Sequence, residues 1–237
     1  MRLSSLALLG GAAAAAAQTA PWLSGTAFGR GVFPAVTTTP STNAVALTFD
    51  DGPDIQLELF LELLEQHHAR ATFFLIGEQV QRRPEAPALI RKAGHEIAIH
   101  GLTHVSHLRR TPNDLARDLR RAKQIIEDAG GEPLPLYRPP YGVFSLGSWR
   151  ECTKQHWERV LWSRWGKDWE ETGTARGIAD NIGQPVAGDI LLLHDSDRYS
   201  APNSWKNTLA ALPIILERIA SAGLRVRPVG ELLHPTV

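Results

Sequence analysis

Cysteine is almost absent: Cys152 is the only one. A single thiol excludes an intramolecular disulfide framework and any multi-cysteine zinc module. An excess of charge of either sign is missing too, since 25 Lys and Arg balance 25 Asp and Glu. No overall field draws a polyanion, and nucleic acid is set aside as a partner. The apolar run over residues 3–17 is cut short by Gln18, Thr19 and Pro21, below the roughly 20 apolar residues that span a bilayer. Low hydrophobicity is not a feature either. At 43% hydrophobic and 21% charged over 237 residues, the chain is not disordered and has enough apolar surface for a sizeable core. At about 150 residues per domain the length fits one or two domains. What is present is histidine, nine of them.

The front of the chain reads as an attachment. Arg2, the apolar run ending in alanines and the small-residue stop near Ala17 have the pattern of a secretory signal. The expectation is export to the periplasm, the cell envelope or the medium; an uncleaved segment would act as a membrane anchor. Residues 18–43, rich in Thr, Ser, Gly and Pro, show no periodicity and read as a linker. The globular domain is expected over 44–237, and no protein partner is implied.

From there apolar runs and amphipathic stretches alternate. Strands are expected at 45–49, 72–76, 96–99, 136–137, 160–163, 190–193 and 224–226. Leu57, Phe60, Leu61 and Leu64 lie at i, i+3, i+4, i+7, the stripe of a helix. Further helices are expected at 84–92, closed by Gly94, from an N-cap at Asn113 to Gly130-Gly131, and at 209–220. Seven strands separated by helices imply parallel pairing, because parallel neighbours need a crossover. Periodicity leaves a distorted barrel and an open doubly wound sheet equally open.

The reactive side chains fall at the carboxyl ends of these strands. Asp50 and Asp51 follow the first, His100 and His104 the third, Arg138 the fourth and Asp168 the fifth, and His194 ends the sixth. That is the face on which parallel α/β proteins build their sites. His100 and His104, four apart, can turn both imidazoles to one side in a tight turn. Two imidazoles and one carboxylate leave a position open for water, as at a catalytic zinc. Turn formation accounts for one aspartate beside Gly52-Pro53 but gives no reason for two. One carboxylate ligating the metal and one left free as general base would account for both. His194 could protonate a leaving group.

These residues carry a resemblance. Ala46-Leu47-Thr48-Phe49-Asp50-Asp51-Gly52-Pro53, His100-Gly101-Leu102-Thr103-His104, Arg138-Pro139-Pro140-Tyr141-Gly142 and Leu192-Leu193-His194 resemble, in order, four signatures of the polysaccharide deacetylases, the NodB-homology domain of carbohydrate esterase family four. The resemblance covers residues 44–230. It implies an α/β fold, a distorted seven-stranded parallel (β/α) barrel. The implied activity is hydrolysis of N-acetyl groups, less often O-acetyl groups, on a glycan such as peptidoglycan, a chitin-like oligomer or an exopolysaccharide. By this analogy one divalent ion, zinc above others, is held by Asp51, His100 and His104. Asp50 is the base, Arg138 holds it, and His194 is the acid. The Tyr141 backbone N–H helps bind the oxyanion, Leu192 lines the acetyl pocket and Trp169 borders the sugar.

The fourth signature departs. Trp165-Gly166-Lys167-Asp168-Trp169 has a tryptophan where the resemblance implies an aspartate partner for the acidic histidine. Asp168 is expected to take that partnership; the alternative is an unpartnered His194. Five of the seven tryptophans, at 149, 157, 162, 165 and 169, crowd one stretch, where both core packing and a glycan groove account for them. The segment 195–207, with Tyr199 and Trp205, is expected to border the cleft. Two other readings stand beside the deacetylase: a non-catalytic glycan-binding protein on the same fold, and a different C–N hydrolase.

Overall fold

The computed structural model describes residues 16–235. Eight strands run parallel: β1 (Ala44–Asp50), β2 (Thr72–Ile76), β3 (Glu96–Gly101), β4 (Leu136–Tyr137), β5 (Glu158–Arg159), β6 (Arg164–Trp165), β7 (Ile190–His194) and β8 (Arg225–Arg227). Their order is β5-β4-β3-β2-β1-β7-β6, with β8 beside the start of β1. β1 and β2 are buried along their whole length, as expected of parallel strands covered on both faces. The helices are α1 (Leu57–Gln66), α2 (Gly77–Arg82), α3 (Ala86–Lys92), α4 (Pro112–Asp128), α5 (Leu146–Gln155), α6 (Ala175–Ile182), α7 (Ser204–Ser221) and α8 (Val229–Leu233). Among the described residues no helix is long and apolar enough to cross a membrane.

The fold is the expected distorted parallel (β/α) barrel, and the distortion has a location. The fifth strand, expected as one piece at 160–163, is replaced by two short strands on either side of that stretch. β5 pairs with β4 at one edge of the sheet and β6 with β7 at the other. Residues 160–163 cross the seam between the two edges, so neither neighbour can pair with the whole stretch. The seam is covered by the segment expected to be a linker. Val36 donates to the Arg159 carbonyl and accepts from Leu161 N–H, both at 2.7 Å, and Thr39 N–H donates to Gly188 at 2.8 Å. Upstream, Ala20–Gly25 and Gly29–Gly31 form short 3-10 turns, and the Gln18 amide donates to the Arg110 carbonyl at 3.1 Å. This segment lacks periodicity because it holds only short turns, and its remaining partners, such as those of Val36 and Thr39, lie on the sheet. The expected signal lies outside the described residues, except for Ala16 and Ala17.

One further expectation needs correction. The N-cap of α4 is Thr111, whose side chain accepts from Asp114 N–H, so Asn113 lies inside the first turn, after a Pro112 that suits that position. α2, not among the expected elements, follows directly on β2 and starts at Gly77.

Candidate active site

The first signature places two carboxylates side by side by a backbone device. Successive residues of a strand point to opposite faces, so Asp50 and Asp51 would diverge in a regular strand. Asp50 ends β1, and Asp51 takes a left-handed φ of 78°, a conformation rare for a non-glycine residue and found where surrounding structure enforces it. Gly52 follows, and a Cβ there would lie 2.4 Å from a carboxylate oxygen of Asp195, so that buried side chain would have to shift.

Asp50 is held by Arg138, which is fully buried. One guanidinium nitrogen donates to Asp50 Oδ1 at 2.7 Å and to Thr48 Oγ1 at 2.8 Å, and the other to the Leu161 carbonyl at 2.9 Å. The guanidinium also lies over Phe74, 4.1 Å from the ring centre. Burial lowers the Arg138 pKa, and the Asp50 charge acts against that.

Asp51 is turned toward two imidazoles. Its Oδ1 lies 3.4 Å from His100 Nε2 and 3.3 Å from His104 Nε2, yet it is buried without a hydrogen-bond partner. His100 Nδ1 contacts the Arg138 carbonyl at 2.7 Å. A carbonyl only accepts, so that nitrogen carries the proton and Nε2 is the ring atom turned to Asp51. Burial lowers His104 to about 4 against the pull of Asp51, so this ring is neutral near pH 7. For Asp51 itself, burial raises the pKa, but the His100 contact and the charge of His194 act against it and hold the carboxyl at about 2. An ionised oxygen without a partner, facing the Nε2 atoms of two imidazoles, is a donor set suited to a divalent cation. Among the described residues these three form the one group of His, Cys, Asp or Glu whose ligand atoms, all within 4.8 Å of one another, could hold a metal.

His194 pairs across the strands with Asp50 and is held by Asp168. Its Nδ1 donates to Asp168 Oδ1 at 2.9 Å and its backbone N–H to Oδ2 at 2.7 Å, while Thr208 Oγ1 donates to Oδ2 at 2.9 Å. Nε2 is thereby left toward the cavity, 4.0 Å from Asp51 Oδ2. Burial opposes a charge on the ring, but Asp168, helped by Asp51 and Asp50, outweighs it and raises His194 to about 10.

A cavity of about 300 Å³ gathers Asp50, Asp51, His100, His104, Tyr141, Trp169, Leu192 and His194 on its walls. Of the predicted site residues only Arg138 and Asp168 lie behind the wall, each bonded to a residue on it. Tyr141 takes a left-handed φ of 60° at the rim, and Trp169 meets the His194 ring edge-on with centres 5.6 Å apart. The tryptophan cluster divides. Trp162, Trp165 and Trp169 line the cavity, whereas Trp157 is buried and Trp149 packs against Phe144 and the core. From the 195–207 segment Tyr199 stacks on His104 at 4.5 Å, and Trp205 packs on the core instead.

Three supporting residues were not singled out in the sequence: Thr48, Thr208 and Asp195. Thr48 had a signal, since it lies two residues before Asp50 and so shares its face. Thr208 and Asp195 had none, because they act on neighbours distant in sequence. Asp195 is buried with both carboxylate oxygens unpartnered, and burial, aided by the Asp51 and Asp54 charges, pushes it up to about 8.

A candidate metal centre flanked by a guanidinium-held carboxylate and a carboxylate-held imidazole defines a hydrolytic site. Comparison with known proteins gives its family. Residues 37–157 match the polysaccharide deacetylase family. A peptidoglycan-N-acetylglucosamine deacetylase of Bacillus cereus is 36% identical over 194 residues, covering 80% of this chain and 88% of the relative. A chitooligosaccharide deacetylase of a Bradyrhizobium strain is 31% identical over 199 residues, covering 81% and 91%. The solved family 4 carbohydrate esterase from Streptomyces lividans, in complex with acetate, superposes with a TM-score of 0.71 at 30% identity, covering 78% of this chain and 92% of that one. The chain belongs to the polysaccharide deacetylase family.

Proposed function

We propose that this protein hydrolyses N-acetyl groups on the sugars of an acetylated glycan, with Asp50 as base and His194 as acid. The observation that carries the reading is the pairing of these two groups at adjacent strand ends beside the unpartnered oxygen of Asp51. Relatives named for peptidoglycan N-acetylglucosamine and for chitooligosaccharides support the substrate class.

A divalent ion held by Asp51, His100 and His104, zinc by its preference for imidazole with carboxylate, would supply a Lewis acid to the amide carbonyl and lower the pKa of a water. Arg138 fixes Asp50 so that its free oxygen can take a proton from the attacking water. The water oxygen bonds to the carbonyl carbon, and negative charge develops on the former carbonyl oxygen. The Tyr141 N–H would help to stabilise that charge, and Leu192, on the cavity wall, would receive the acetyl methyl. His194 Nε2 then gives its proton to the sugar nitrogen as the C–N bond breaks, which yields acetate and a free amine. Because Asp168 raises His194, the ring is protonated at neutral pH, as an acid must be.

The reading extends to location: the apolar run over residues 3–17 directs export, and the glycan is met outside the cytoplasmic membrane. Acetate release from peptidoglycan strands and chitooligosaccharides, before and after chelation, tests the chemistry. Release that stops on chelation and returns with zinc is expected. Undiminished release after exhaustive chelation contradicts the metal assignment, and binding of the glycan without release contradicts the enzyme.

A further inference from the structure

The cavity of about 300 Å³ is at the small end of ligand sites, which run from about 300 to 1,000 Å³. It takes one sugar with its acetamide, so the rest of a polymer must lie elsewhere. A groove of about 750 Å³ continues from it, sharing Tyr141, Gly142, Trp162 and Trp165. We propose that this groove binds the neighbouring sugars of the acetylated glycan chain, and that its outer wall is built by the segment preceding β1. The proposal rests on the deacetylase reading above.

The outer wall includes Trp22, Thr26, Arg30 and Thr37. The family match begins at residue 37, so the wall up to Arg30 is added ahead of the matched region. It is held from both ends: before it the Gln18 amide donates to the Arg110 carbonyl at 3.1 Å, and after it Phe33 packs edge-on against Trp149 at 5.2 Å and Val36 bonds to Arg159 and Leu161 at 2.7 Å. Rigid placement reduces the ordering cost of binding an extended ligand.

The chemistry of the groove suits sugar rings. Trp22 is 53% exposed, Trp165 43% and Tyr141 62%, a set of large aromatic faces left in water around one depression. What sets these three apart from other exposed apolar residues is that they border one groove, and the apolar C–H face of a pyranose is the complement of an indole or phenol ring. Trp165 continues the ridge inward, 5.8 Å from Trp162 and 5.9 Å from Trp169 between ring centres, so stacking surfaces lead from the groove to His194. Gly142 keeps this path low, since a Cβ there would lie 2.6 Å from the Trp162 ring. Arg30 adds a cation at the rim. Among the described residues its guanidinium has only the Gly25 carbonyl, at 3.4 Å, which leaves donors for sugar oxygens and favours a glycan that carries carboxylates.

The test compares kcat/KM on the disaccharide and hexasaccharide of N-acetylglucosamine, and on glycan strands bearing muramic carboxylates. For the wild type the hexasaccharide-to-disaccharide ratio should be well above one. Trp22→Ala should lower that ratio about tenfold, the effect of losing one stacking ring, while Trp22→Phe restores most of it. Arg30→Met should cost more on the carboxylated strands than on the uncharged hexasaccharide. Wild-type protein that releases acetate from none of these glycans contradicts the deacetylase reading and this proposal with it. Acetate release with a ratio that Trp22→Ala leaves unchanged overturns the groove proposal alone.

Discussion

His194 shows how a single residue acquires a task from its neighbours. An isolated imidazole near pH 7 is largely deprotonated, and would be a poor acid for the proposed protonation of a leaving amine. Asp168 changes this through two contacts, one to the ring and one to the backbone of the same residue. The indole of Trp165, in the position that departs from the fourth signature, could not, because it carries no charge and only donates. The sign of the effect is fixed: a carboxylate beside an imidazole favours the charged form and raises its pKa. Removing it lowers the pKa. Asp168→Asn should therefore move the basic limb of the kcat/KM profile downward, by roughly one to three pH units. Acetate release measured between pH 6 and 10 checks this, and an unmoved limb would show that Asp168 does not set the acid.

At the scale of elements, α4 separates two readings of one helix start. Asn113 is a good capping residue by type, but Pro112 occupies the first helical position and Thr111 does the capping. An N-cap hydroxyl contributes about 1 kcal/mol, within a range of roughly 0.5–2. Thr111→Ala should cost about that much in denaturant unfolding, and Asn113→Ala should cost a few tenths at most. The reverse order would put the cap back at Asn113. The same element shows what could be read in advance and what could not. Strands β1, β2, β3 and β7 were visible as apolar runs because each is buried on both faces. The signature residues were visible because they cluster at carboxyl ends of strands. The split of the seam strand was not visible, since it depends on which edge each half meets. Nor was the docking of residues 18–43, since the bonds of Val36 and Thr39 that fasten it form only on the assembled sheet. Asp195 had no signal because its tight fit against Gly52 exists only once β7 lies beside β1.

At the scale of the whole molecule, a buried histidine makes stability depend on pH. His95 accepts a hydrogen bond from Ala71 N–H at 3.1 Å, and burial, with the Arg70 charge, lowers it to about 4 from 6.5. Between those values the unfolded chain binds a proton that the folded chain refuses, so this contribution is complete above pH 6.5 and declines as pH falls toward 4. Relative to His95→Gln, which keeps an acceptor but cannot titrate, the wild type should lose stability from pH 7 to pH 5. Parallel unfolding curves for the two proteins across that range would contradict the buried neutral ring.

The central claim is that adjacent carboxylates have different tasks, Asp51 holding the metal and Asp50 moving the proton. Metal content and acetate release, measured on the same preparations of Asp50→Asn and Asp51→Asn, test it directly. Asp50→Asn should keep one divalent ion per chain while its rate falls roughly 10²–10⁴-fold, the range for a positioned acid–base group. Asp51→Asn should lose both the ion and the activity. If Asp50→Asn loses the ion and Asp51→Asn keeps it, the roles are exchanged and the account is contradicted.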